Sequence, residues 1–321
     1  MALIPMGVLS AAASRALRVS VAAYFMGGYA DATFVATADK ITFATDSTSA
    51  ISNYLDAAKI HLGAFSNSGV AAYSAGGVVS PFSATSTVNK HLYSNDSRTT
   101  LGTGLSSGSV YGASFANSGT AGYHHIGRNA SDTTVTTVDK FAFSNDSRTT
   151  LGTGISSTRS FATGFGNVGV AGYIAGGRNT SNAYVATVDK FAFSDDSRST
   201  LGTGLSAING ATMSGFTDAG VAGYIAGGII NSANGTVDKF ALPSDTRSTL
   251  ATGMSVGNYW VSGASNSGVA GYAGCAGIGN TGPSSSIDKF AYPSDTRSTI
   301  TSKLVSATSG HGFGVSNEGI F

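Results

Sequence analysis

The chain repeats itself about every 50 residues, and that period constrains the fold more than any other feature. An Asp-Lys pair marks the copies: Asp39-Lys40, Asp139-Lys140, Asp189-Lys190, Asp238-Lys239 and Asp288-Lys289, with Asn89-Lys90 as the variant. A fixed period of this size belongs to a propeller, a solenoid or an array. Six copies fill roughly 300 of the 321 residues, so the expectation is one repeat domain over residues 18–321, preceded by an apolar arm over residues 1–17.

Each unit reads as four short strands. In the copy that shows the pattern best they fall at residues 159–165, 170–175, 186–193 and 198–205. Asn167-Val168-Gly169 turns the first into the second, and Gly176-Gly177 and a variable loop lead to the third. Ser194-Asp195-Asp196-Ser197 turns into the fourth. Glycine supplies positive φ in such three-residue turns at no steric cost. The single Glu and absent Gln leave few straight-chain helix formers, while Thr, Val, Phe and Tyr favour strands. Four antiparallel strands per unit make a propeller blade.

The two ends of the chain complete each other. Residues 18–28 enter at a second strand, and residues 310–315 form a first strand with no second to follow. A solenoid would need atypical capping repeats instead. The reading is an all-β, six-bladed β-propeller of four-stranded antiparallel blades, with the C-terminal strand at His311 to Val315 joining the N-terminal blade to close the ring.

The order Arg, small residues, turn, Tyr-x-x-Gly-Gly, loop, Val-Asp-x-Phe resembles the kelch repeat over residues 18–316. That resemblance implies the same propeller. The chain departs from the kelch pattern in its fourth strand, which lacks Trp; the only tryptophan, Trp260, lies in a first strand. The phrase Asp-x-Arg-Ser/Thr-Thr-Leu-x-Thr-Gly-Leu is similar to repeats of phage tail and virion-associated proteins, which implies a place in a virion.

Several chemistries find no support. A net charge of +1 with 11% charged residues gives no nucleic-acid footprint. One cysteine, Cys275, excludes an intrachain disulfide and reads as a small buried hydrophobe. No apolar run approaches the roughly 18 residues of a membrane span. The arm has no base before Arg15, unlike a secretory signal, and is expected to dock on a partner. His124 and His125 are adjacent in a strand and point to opposite faces, so the pair is no metal site. The Gly-x-Gly of Leu-Gly-Thr-Gly-Leu lacks the strand-to-helix setting of a phosphate loop, and no cofactor is expected. The repeated Asp96/Arg98, Asp146/Arg148, Asp196/Arg198, Asp245/Arg247 and Asp295/Arg297 occur once per unit, which describes structural pairing between turns or neighbouring blades rather than one asymmetric catalytic pair.

Antiparallel blades put their hairpin turns on one face and their second-to-third loops and blade-to-blade crossings on the other. The turns are nearly identical from unit to unit, whereas the loops and crossings differ in each. Loop variation on one side of a repeat fold marks its binding face. The candidate contact residues there are Phe82, Tyr111, Arg128, Arg159, Arg178, Tyr184, Asn258, Tyr259 and Trp260. Aromatic planes beside Asn and Arg suit a glycan or a protein. The expected role is a non-enzymatic virion component, a tail or fibre-associated adhesin. Its varied face would bind a host-surface glycan or protein, and its arm other virion proteins. The alternative is a purely structural capsid-decoration, collar or tail-assembly protein. A glycan-cleaving enzyme is the weaker third reading, and association between copies of the chain stays open.

Overall fold

Third strands carry the hydrophobic pattern that builds each blade. Val138–Ala142, Val188–Ala192 and Val237–Ala241 all read Val-Asp-Lys-Phe-Ala, with Val, Asp and Phe buried and Lys and Ala half-buried. Both faces of this strand are covered because every blade lies between two others. The computed structural model describes residues 21–30, 33–207, 213–229, 232–278, 282–305 and 313–316. The expected arm at 1–17, His311 and the Cys275 side chain lie outside them.

Six four-stranded antiparallel sheets are present, and no helix is found among the described residues. Blade 2, for example, is Gly63–Asn67, Ala71–Ala75, Val88–Leu92 and Arg98–Thr100, from the axis outwards. The ring closes as expected. Phe313–Ser316 pairs antiparallel with Ala22–Met26, with Met26 opposite Phe313 and Ala23 opposite Ser316, and so supplies the inner strand of blade 1.

Two strands of blade 4 differ most from the sequence reading. The fourth strand of blade 4 is Arg198–Thr200, because the chain then folds inwards and Leu201 and Leu205 donate to the carbonyls of Val188 and Ala186. The first strand breaks into Arg159–Ser160 and Thr163–Asn167, because Phe161 between them has φ of 60°.

Neighbouring blades fit by size. A Cβ on Gly172 would overlap the ring of Phe115 from the preceding blade, and the same holds for Gly122 on Phe65, Gly223 on Phe165 and Gly271 on Phe216. Blade 6 carries Ala264 where blades 2 to 5 carry Phe, opposite Tyr272 in register. The blade that receives it has Ala23 in place of Gly, and the two alanines share one core cluster. The smaller knob is thus matched by a shallower hole.

A second contact ties each blade to the next. The aspartate of every outer hairpin turn sits at φ of 50–58°. Asp tolerates that left-handed conformation better than most residues. It turns the carboxylate back towards the preceding blade. Asp146 accepts from the Tyr73 hydroxyl at 2.7 Å and from Lys90 Nζ at 2.8 Å. Asp96, Asp196, Asp245 and Asp295 repeat the arrangement with Tyr24/Lys40, Tyr123/Lys140, Tyr173/Lys190 and Tyr224/Lys239. At the seam, Asp46 of blade 1 takes Tyr272 at 3.1 Å and Lys289 at 2.6 Å from blade 6.

The two members of each Asp-x-Arg take different partners. The carboxylate goes to the preceding blade, and the arginine turns inwards to the third-strand aspartate of its own blade. Arg148 reaches Asp139 at 3.6 Å and Arg198 reaches Asp189 at 3.7 Å. Arg247 reaches Asp238, not Asp245, at 3.5 Å, and Arg297 reaches Asp288, not Asp295, at 3.7 Å. Arg98 has Asn89 in that place and donates to Thr100. Blade 1, with Thr48 instead of Arg, keeps the Asp46 latch and bonds Thr48 to the Lys303 carbonyl.

Gly172→Ala is expected to lower stability by roughly 1–3 kcal/mol through overpacking. In a Phe115→Ala background the same change should cost nothing measurable, since that pair reproduces Ala264 beside Ala23. Denaturant midpoints of the four proteins check this cycle. Asp46→Ala should cost about 2–4 kcal/mol, from two lost hydrogen bonds and a left-handed alanine, and match Asp146→Ala to within about 1 kcal/mol. A silent Asp46→Ala would mean that the ring is not closed at this seam.

Candidate functional site

The uniform face is locked by its own turns. Asn67 accepts from the Gly119 amide of the next blade at 3.0 Å, Asn117 from Gly169 at 2.9 Å and Asp218 from Gly268 at 2.8 Å. This explains why Asn/Asp-x-Gly recurs there. The varied face is built differently, from the crossings that carry the chain from one outer strand to the next inner strand.

Four of the described crossings first bury a polar residue. Lys59, Ser109, Arg159 and Asn258 occupy equivalent positions, two residues ahead of the break before the inner strand, and all are buried. Lys59 pairs with Asp56 at 2.7 Å, which in turn accepts from Asn89. Ser109 bonds the Ile126 carbonyl and the His124 ring, each at 2.7 Å. Arg159 pairs with Asp189 at 2.8 Å and is 0% exposed, so it holds a crossing in place and is not a surface contact. Asn258 is buried too, and its backbone joins Gly228 and Asn234.

Two residues further on, the crossings bring four rings together. His61, Tyr111, Phe161 and Trp260 stand in four different blades at the same position of the unit, with φ of 57°, 58°, 60° and 61°. Left-handed backbone costs an L-residue roughly 1–2 kcal/mol and is an outlier for a bulky one. Tyr111 lies 3.9 Å from Phe161 and 4.2 Å from His61 between ring centroids. Trp260 lies 4.6 Å from His61, 5.7 Å from Phe161 and 5.9 Å from Tyr111. Rings from blades 2, 3, 4 and 6 can meet only over the axis, so they form an aromatic collar at its mouth. Phe161 is buried at its floor, and the other three are partly exposed.

Arg128 and Tyr259 border the collar. The Arg128 guanidinium is 5.8 Å from both the Tyr111 and Phe161 centroids, and Tyr259 is 6.4 Å from Trp260. The Arg128 backbone pairs with Val110 in both directions, and the Asn129 side chain accepts from the amides of Ser131 and Thr133. The neighbouring loop repeats this turn: Asn179 accepts from Ser181 and Ala183, and Arg178 donates from Nε to the Asn182 carbonyl at 3.2 Å. Tyr184 is half-buried at the end of that loop, bridged to Arg178. These loops vary in sequence, yet both are held by internal hydrogen bonds.

Phe82 belongs to a separate patch. It is 77% exposed, and its ring meets Phe34 edge-on at 5.7 Å, which meets Tyr29 at the same distance. Of the nine expected contact residues, the structure gathers Tyr111, Arg128, Tyr259 and Trp260 at the collar. Sequence reasoning missed His61 and Phe161 as members of the site. Their signal is plain in the aligned units, where an aromatic or imidazole ring stands at residues 61, 111, 161 and 260.

His124 lies beneath this layer. Its Nδ1 faces the Ser114 hydroxyl at 2.8 Å and its Nε2 the Ser109 hydroxyl at 2.7 Å, while His125 turns to the Val135 carbonyl at 3.0 Å. Burial pushes His124 down to about 4 and His125 down to about 3, so both are neutral at neutral pH. Among the described residues no three His, Cys, Asp or Glu side chains form a metal-ligand set. No protein-family model matches the chain, and no curated protein matches it.

The unfolded chain takes up its histidine protons near pH 6.5, whereas the fold resists them. Stability should therefore be complete above about pH 6.5 and fall as pH drops towards 4, with His124 alone contributing roughly 3 kcal/mol of the change. Urea midpoints at pH 7.5 and 4.5 check this. His124→Ile, which copies Ile174 of the next blade, should show the smaller drop.

Proposed function

We propose that this chain is a kelch-like, non-enzymatic recognition propeller of a phage virion, placed at the tail or a fibre, whose varied face binds a host-surface glycan or protein. The observation that carries the binding reading is the collar. Four rings are held in left-handed backbone at one position of the repeat, where glycine would remove the strain. Strain of this kind gathers at functional sites because it is stable only when the surrounding structure enforces it. Here the enforcing structure is the buried polar layer under the crossings.

Partly exposed Tyr and Trp with an arginine beside them are the residue types that dominate recognition surfaces. The virion placement rests on the likeness of the Asp-x-Arg phrasing to repeats of phage tail proteins, and the arm at residues 1–17 is the attachment to other virion proteins. Its removal should release the protein from the particle and leave the propeller folded.

Trp260→Gly tests the reading directly. It removes the ring and the backbone strain together, so stability should change by less than about 2 kcal/mol. Binding to a glycan array or to whole host cells should fall at least about ten-fold. Val170→Asp, at an exposed valine on the opposite face, should leave binding unchanged. A folded wild-type chain that binds neither cells nor glycans would overturn recognition in favour of a purely structural virion role.

A further inference from the structure

We infer that the axial collar takes a sugar bearing a carboxylate, with the sugar ring against Trp260 and Tyr259 and the carboxylate on Arg128. The inference rests on the recognition reading above and names its ligand class. Three features of Arg128 carry it.

Its position is fixed. The backbone pairs with Val110 in both directions, and the guanidinium lies against Tyr111 and Phe161, 5.8 Å from each centroid. An arginine set on aromatic faces keeps its planar fork of donors in one orientation, which matches a carboxylate.

Its present acid partner is weak. Nη1 meets Asp132 at 3.1 Å, but that aspartate is 82% exposed, and its loop returns it to solvent. Exposed pairs of this kind contribute little. The Arg128 Nε is buried, so a ligand would meet the outer nitrogens of the guanidinium. A ligand carboxylate would displace Asp132 and gain a partner already held in place. Arg159, by contrast, has a buried partner in Asp189 and is committed to the fold.

The charge around the collar points the same way. Lys59 is spoken for by Asp56, and Arg178 stands in the adjoining loop. A cationic ligand would be repelled by Arg128, and a neutral one would leave it unused. The saccharide is preferred over an acidic peptide because the site offers ring faces at the end of a narrow axis. A pyranose presents one C–H-lined face to such rings and one substituent to Arg128.

The test uses the full chain, immobilised, with neoglycoproteins carrying a β-D-glucuronide or an α-N-acetylneuraminide, the methyl esters of both, and a β-D-glucoside. One acid should bind about ten-fold more tightly than its ester, and the difference should shrink as salt is raised. Arg128→Gln should abolish that difference and leave glucoside binding within about two-fold. Asp132→Asn should tighten acid binding about three-fold, a gain that a folding defect cannot produce. Equal binding of acid and ester, or an acid preference that survives Arg128→Gln, overturns the inference. So does binding of poly-glutamate without binding of either sugar acid. If glycans bind and Trp260→Gly abolishes it with no acid preference, the recognition reading stands and this inference fails. If no probe, glycan or cell binds, both fail.

Discussion

The ring depends on a carboxylate that each blade offers to the one before it. Asp46, Asp96, Asp146, Asp196, Asp245 and Asp295 stand in left-handed turns and accept from a tyrosine and a lysine of the preceding blade. Taken singly, these partly exposed ion pairs contribute little. Their weight comes from repetition and from the hydroxyl that shares each carboxylate. Burial and the neighbouring aspartate push the tyrosine hydroxyls such as Tyr73 and Tyr123 far up, so they stay protonated and donate. Four of the six latches sit outside a Phe-into-Gly contact, and together the two set the angle between those blades. A change at either would be felt around the whole ring, because a closed ring has no free end to absorb it.

That frame leaves the crossings free to differ. Their first duty is to satisfy a buried polar position, and each blade solves it in its own way: Lys59 with Asp56, Ser109 with His124, Arg159 with Asp189. These solutions are not interchangeable, since a buried charge without its partner is costly. They make the axial end of the propeller asymmetric beneath a symmetric scaffold. The collar of His61, Tyr111, Phe161 and Trp260 rests on that asymmetric layer. Rigid support and strained backbone together pre-organise a surface, which lowers the entropic cost of binding to it.

Much of this was legible in the residues. The period, the strand order, the hairpin turns and the complementary ends fix six blades and a closed ring, because strand patterning and turn chemistry are local. The latch was only half legible: Asp96 and Arg98 recur side by side, yet Asp96 bonds Lys40, which lies in the preceding unit. Asp245 and Arg247 part in the same way, one to Lys190 of the preceding blade and the other to Asp238 of its own. A period shows that two residues recur together but not which copies meet. Arg159 shows the same limit. As a base in a varied crossing it reads as a surface contact, and only burial against Asp189 reveals it as a support.

Sequence alone thus determined the fold class, the blade count, the closing strand and the division into a uniform and a varied face. All of these follow from the 50-residue period and from side-chain alternation within it. Tertiary structure decided which of the varied residues form a site. His61 and Trp260 are separated by almost 200 residues and meet at 4.6 Å because ring closure carries every sixth part of the chain to one axis. Tyr184 and Phe82 stand in second-to-third loops of the same face, where one bridges to Arg178 and the other packs on Phe34. Convergence on an axis is a property of the closed ring, and no single unit encodes it.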